Sequence, residues 1–304
     1  MFIEQIKKKN FNSILYLPIL LGFFGLMIVN YFSTQDVNTE DLMHQMKIQF
    51  GENLMFVILV GPLSLMCLGL LFWVKFIHNQ SITSLTTSRK EIDWGRILFS
   101  FSLWGTITAI MTLAVYFAEP EDFVVNFDTS KFFVFLILAI ILVPLQTSFE
   151  EYFFRGYLMQ FLGVLSNTRL IPFVVSSVLF GLMHIANPEV GKLGHVILIY
   201  YIGTGFFLGI LTLMDEGLEL ALGFHAANNL VTALLVTADW TAFQTPSVLK
   251  DISEPSAGLD VIIPVFVIFP ILLFVFAKKY NWNNWQERLF GKLIKEEVIN
   301  TNEA

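Results

Sequence analysis

Charge is what this chain has least of. Asp, Glu, Lys and Arg make up 14% of its 304 residues, against roughly 25% in soluble domains, while 55% are apolar and 32 are phenylalanine. A soluble globule of this size could not cover such a sequence with polar surface, so the composition gives an all-α polytopic membrane protein. Cysteine is nearly missing as well. The one thiol, Cys67, sits inside an apolar run, which excludes a disulfide framework, a thiolate metal site and a Cys–His nucleophile pair; packing is its expected role. No internal repeat, low-complexity tract or long polar insertion is visible. No basic footprint for nucleic acid exists either, and the net charge of −7 rests largely on loop carboxylates such as those of Glu119–Asp128.

What is there is a series of apolar runs. A span needs about 20 mostly apolar residues, and eight segments qualify: Ile14–Phe32, Leu54–Val74, Ile97–Ala118, an overlong Phe132–Leu165, Leu170–Ala186, His195–Met214, Leu218–Val236 and Leu259–Ala277. We therefore expect a bundle of about eight transmembrane helices. Residues 1–131 would hold three of them, 132–237 a core of about four, and 238–304 the last helix with a short charged tail. Lys7-Lys8-Lys9 before the first run resembles a signal peptide. However, the run is longer than an h-region and ends at Asn30-Tyr31-Phe32 without a small-residue cleavage site, so a retained span is expected.

Basic residues orient the bundle. With the N-terminus cytoplasmic, the inner segments hold 13 of the 18 lysines and arginines, and the outer loops only Lys47, Lys131, Lys192 and Lys250. That bias predicts cytoplasmic N- and C-termini.

Few strongly polar residues lie inside the spans, and such residues are expensive enough to read as functional by default. They are Glu150, Glu151 and Arg155; His184; and His225 with Asn228 and Asn229. His44, His78 and His195 are loop or span-end residues without a site role. At about 100° per residue, Arg155 lies about 40° from Glu151 but about 140° from Glu150. Glu151 and Arg155 therefore make the natural ion pair, and Glu150 is left without a partner on its own helix.

Depth is compatible with a site. Glu150 and His184 each lie about 17 residues from the turn at Ser166-Asn167-Thr168, hence roughly 25 Å along antiparallel helices. His225 enters from Asp215-Glu216-Gly217, roughly 12 Å in by the same rise. The three share a level if the turn projects about 10 Å from the membrane, or if the overlong segment breaks at Gly156. His225 and Asn229 share a helix face, with Asn228 flanking.

The ordered motifs Glu150-Glu151-x-x-x-Arg155, Phe180-x-x-x-His184 and His225-x-x-x-Asn229 resemble the CAAX protease and bacteriocin-processing family of intramembrane endopeptidases, also called CPBP or ABI, of CAAX prenyl protease 2 type. The resemblance covers roughly Phe132 to Val236. It implies a multi-helix membrane protease of a bacterial inner membrane, with a cavity open to the cytoplasm. Glu150 would be the catalytic glutamate, His184, His225 and Asn229 would stand beside it, and Glu151 and Arg155 would support them. Eukaryotic relatives act on prenylated C-termini.

Peptide hydrolysis needs an activated water, an oxyanion stabiliser and a proton donor for the leaving amine. Glu150 suits the general base, His184 could hold the same water, and His225 and Asn229 could donate to the oxyanion. No cofactor is required in this reading. The alternative is zinc on Glu150, His184 and His225 with water as fourth ligand; against it, the compact His-Glu-x-x-His spacing is missing and no second carboxylate is evident to orient the histidines. The expected partners are the bilayer and a membrane-bound or lipidated peptide. Rival readings are a transporter or proton relay using the buried Glu and His, and a non-catalytic immunity or scaffold protein. The aromatic residues Tyr152, Phe153, Phe154 and Tyr157 are expected to pack, and Gly203, Gly205 and Gly209 to allow close helix contact.

Overall fold

The computed structural model describes residues 1–8, 11–35 and 37–293. Lys9, Lys295 and the end of the charged tail, residues 294–304, lie outside the described residues.

The chain is a helical bundle. In order, the helices are α1 Leu17–Thr34, α2 Thr39–Phe72, α3 Ile82–Thr86, α4 Trp94–Ala118, α5 Thr129–Glu151, α6 Met159–Ser166 and α7 Leu170–Leu182. They continue as α8 Pro188–Leu193, α9 Leu198–Asp215, α10 Glu219–Leu235, α11 Leu259–Ile263, α12 Phe269–Tyr280 and α13 Trp285–Phe290. Outside the bundle, β1 Phe123–Val125, β2 Val236–Ala238 and β3 Leu249–Asp251 form a small sheet in the order β1-β3-β2. β3 runs antiparallel to β1 and parallel to β2.

Among the described residues, six helices are long and apolar enough to cross a membrane, so the protein is an integral membrane protein. The expected count of eight differs at two places. The run Leu170–Ala186 forms only the 13-residue α7, because the chain leaves the helix before His184 and turns at Asn187-Pro188. The run Leu218–Val236 forms the 17-residue α10, which stops where Val236 joins the sheet. At 1.5 Å per residue both fall short of a bilayer core of about 30 Å. α10 carries His225 and Asn229, and α7 carries Phe180, with His184 just past its end.

The overlong segment is one continuous helix from Thr129 to Ser166, 38 residues in all, or about 55 Å at the standard rise. Asp128 caps its start by accepting from the Lys131 N–H. It does not break at Gly156. Instead Tyr152–Leu158 runs in π geometry, a local widening that recurs at functional sites, and Gly156 lies against Leu85. α2 bends at Gly51, whose φ of 72° is left-handed.

α10 lies between α4 and α5, and α7 lies against α9. Small residues make the second contact: a Cβ on Gly205 would stand 2.3 Å from the Ser177 carbonyl oxygen, and one on Gly181 2.7 Å from Ile202 Cα. Gly209 meets Phe173 and Ser177, and Gly203 meets Val265, so these glycines serve helix contact as expected. Phe153, Phe154 and Tyr157 are buried between helices, and Cys67 is buried in the same core.

An ion cluster anchors the turn into α10. Arg89 holds Asp215 at 3.0 Å and Glu219 at 3.1 Å, Arg96 also pairs with Asp215, and Trp282 Nε1 donates to Asp215 at 3.2 Å. With that end tied to the segment around Arg89–Arg96, the depth of His225 and Asn229 in α10 is set.

Candidate active site

The site is assembled where α5, α7, α9 and α10 meet. Glu150 and Glu151 end the α-helical part of α5, and Arg155 follows in the π stretch. All three are buried, Glu151 and Arg155 completely. Arg155 Nη1 donates to Glu151 Oε1 at 3.1 Å, the pair that the helical spacing predicts. The guanidinium also donates to the Gly205 carbonyl at 3.1 Å and lies 4.1 Å from the centre of the Phe180 ring. The close α7–α9 contact, permitted by Gly205, is what brings that carbonyl within reach.

Glu151 does more than pair with Arg155. Its Oε1 also accepts from His225 Nδ1 at 2.8 Å, so a second carboxylate does orient a site histidine. This corrects the expectation that none would. The reason is tertiary: α10 presents His225 to α5 from the far side, where spacing within α5 says nothing.

Glu150 is held differently at its two oxygens. Oε1 accepts from the Gln146 amide one helical turn earlier. Oε2 has no hydrogen-bond partner among the described residues and faces His225 Nε2 at 3.6 Å. One imidazole thus stands between two adjacent carboxylates, tied to Glu151 and open toward Glu150. Asn229 Nδ2 donates to Gln146 Oε1 at 3.3 Å, and Asn228 Nδ2 donates to Asn229 Oδ1 at 3.1 Å.

His184 lies just past the end of α7. Its Nδ1 is 2.9 Å from the Phe180 carbonyl oxygen, a bond in which Nδ1 is protonated and Nε2 keeps its lone pair. The ring stacks on Tyr201 with centroids 4.3 Å apart. Phe180 joins it to the cluster: its ring lies 5.2 Å from His184 and 5.7 Å from His225 between centroids. Glu150, Glu151, Arg155, His225 and Asn229 therefore form one polar cluster, and His184 reaches it across an aromatic ring rather than through a bond to Glu150.

A zinc site would draw on the same donors, Glu150, His184 and His225. Among the described residues no three His, Cys, Asp or Glu side chains converge as a ligand set. Glu150 and His225 face each other, while His184 is turned to Phe180 and Tyr201.

Gln146 is absent from the motif residues, yet it stands four residues before Glu150 in an apolar run, the spacing at which helical side chains meet. Tyr201 and Trp104, whose indole N–H donates to Asn228 Oδ1 at 3.0 Å, carry no such signal. They are on other helices. His78, given no site role, lies away from the cluster against Tyr16 and Tyr157.

Residues 129–231 match the family described as type II CAAX prenyl endopeptidase Rce1-like. The matched segment is similar to that family. It runs from α5 into α10 and includes every motif residue of the cluster and His184. The uncharacterized protein YyaK of Bacillus subtilis (strain 168) is 34% identical over 170 residues, 56% of this chain and 57% of that protein. The match thus spans less than two thirds of that relative's length. No solved structure matches the chain significantly.

Proposed function

We propose that this protein is an intramembrane endopeptidase in which Glu150 activates the hydrolytic water. The observation that carries the reading is the divided state of Glu150: Oε1 held by Gln146, Oε2 buried without a partner and turned toward His225. The Rce1-like match of residues 129–231 supports the reaction class.

In the proposed reaction Glu150 Oε2 takes a proton from water as the oxygen attacks the scissile carbonyl. The electron pair of the carbonyl moves onto its oxygen, which the Asn229 amide N–H stabilises beside His225. As the tetrahedral carbon collapses, the C–N bond breaks and Glu150 returns the proton to the leaving amine. Glu151 and Arg155 hold His225 in the orientation this requires.

The proposed substrates are membrane-bound or lipidated peptides, cut near the cytoplasmic face by a protein whose termini are cytoplasmic. An apolar groove of about 530 Å³ between α9 and α12, lined by Leu198, Ile202, Phe206, Val265 and Phe269, supports an apolar or lipid-bearing substrate. The test is cleavage of membrane-anchored and prenylated reporter peptides by the purified protein in detergent and in proteoliposomes. Glu150→Gln is expected to lower kcat by 10²-fold or more, with the protein still folded. Full activity in Glu150→Gln would overturn the reading.

A further inference from the structure

A line of side-chain hydrogen bonds enters the site from α4. Trp104 Nε1 donates to Asn228 Oδ1, Asn228 Nδ2 to Asn229 Oδ1, Asn229 Nδ2 to Gln146 Oε1, and Gln146 Nε2 to Glu150 Oε1. The line crosses from α4 through α10 to α5.

Three of its members are amides, and an amide side chain can exchange its oxygen and its NH2 by turning over. The first member removes that freedom. An indole N–H donates and never accepts, so Asn228 must turn its oxygen to Trp104 and its NH2 to Asn229. Asn229 must then pass its NH2 to Gln146, and Gln146 its NH2 to Glu150. The far end agrees, because an ionised carboxylate accepts only. Turning over any one amide would set oxygen against oxygen or NH2 against NH2, and at the Gln146–Glu150 end, which is buried, unpaired polar groups are costly. Trp104 is itself held in place: it is buried and its ring stacks on Phe224 with centroids 4.7 Å apart.

We propose that Trp104 is a positioning residue that sets the polarity of the whole line, with Gln146 as its last link. Together they fix a donor on Glu150 Oε1 and leave Oε2 as the oxygen free to work. The inference rests on the endopeptidase reading of Glu150. It also places part of the site outside the Rce1-like segment, since Trp104 precedes residue 129.

The test compares Trp104→Phe, Gln146→Leu and the double variant. Each single change is expected to lower kcat about tenfold with KM within about twofold, and the double variant to be no slower than Gln146→Leu, because the indole acts only through the amides. Wild-type kcat in Trp104→Phe, or losses that multiply in the double variant, would overturn the proposal. A second readout needs no turnover. The infrared carboxylate band of Glu150, isolated as the difference from Glu150→Gln, is expected to move in Trp104→Phe as it does in Gln146→Leu; an unmoved band overturns the relay. Should Trp104→Phe fail to fold, Asn228→Leu breaks the line at its second member and carries the same readouts. If the band moves while even the unmodified protein cleaves nothing, the relay stands and the endopeptidase reading falls. If Glu150→Gln abolishes cleavage and the band does not move, the reverse holds.

Discussion

His225 Nδ1 stands 2.8 Å from Glu151 Oε1, so the carboxylate that α5 pairs with Arg155 also holds an imidazole from α10. Glu151 is then a support for His225 as much as a partner for Arg155, and the two glutamates differ by what each one grips.

Glu151→Gln tests this division. The amide keeps the shape and can still accept from His225, but it loses the charge that faces both the imidazole and Arg155. We expect kcat to fall by about 10²- to 10⁴-fold, as when the orienting carboxylate of a catalytic imidazole is neutralised. Cleavage within a factor of about two of wild type would contradict the assignment.

Arg155→Met should act on the fold first. It leaves Glu151 buried without its cation and removes the bond to the Gly205 carbonyl. Breaking a buried pair from one side costs about 3–5 kcal/mol. A thermal-shift measurement in detergent should show a lower Tm than for Glu151→Gln.

Gly205→Ala should be felt in the site although the residue has no chemistry. The added methyl meets the Ser177 carbonyl and must push α7 from α9, at about 1–3 kcal/mol for overpacking. Because the Gly205 carbonyl accepts from Arg155 and Ser177, activity should fall together with Tm. Gly25→Ala, where nothing lies within 4 Å, is the control and should change neither.

His78 gives a pH dependence unrelated to the site. Burial lowers it from 6.5 to about 4, so the fold favours the neutral ring. The sign follows: this contribution is complete above pH 6.5 and is lost as pH falls toward 4. His78→Gln, which cannot take up that proton, is expected to lose less Tm than the wild type between pH 7 and pH 4.5. Equal losses in both proteins would count against it.

Membrane insertion, the helical class and the Glu151–Arg155 pair could all be read from the chain alone. Each depends on local quantities: the length of apolar runs, the cost of charge in hydrocarbon, and the angle between residues four apart. Glu150 does differ from Glu151 in its partners, but the expectation that its own helix offers it none is corrected by Gln146, one turn earlier on α5. Two apolar runs read as full spans yet form short helices, because apolar composition does not show where a helix ends. α7 stops before His184 and α10 stops at the sheet.

The parts of the site that depend on neighbouring helices were not legible. Nothing near Glu151 in sequence announces His225 as its partner, and nothing near Glu150 announces Trp104. Hydrogen bonds between spans depend on which faces meet, and that is decided by packing: α10 held between α4 and α5, and α7 drawn onto α9 at Gly205. By itself the sequence determined which polar residues enter the membrane. The tertiary structure alone joins Gln146, the donor to Glu150 on α5, to Asn229 and Asn228 of α10 and to Trp104 of α4, because those contacts depend on which helix faces meet.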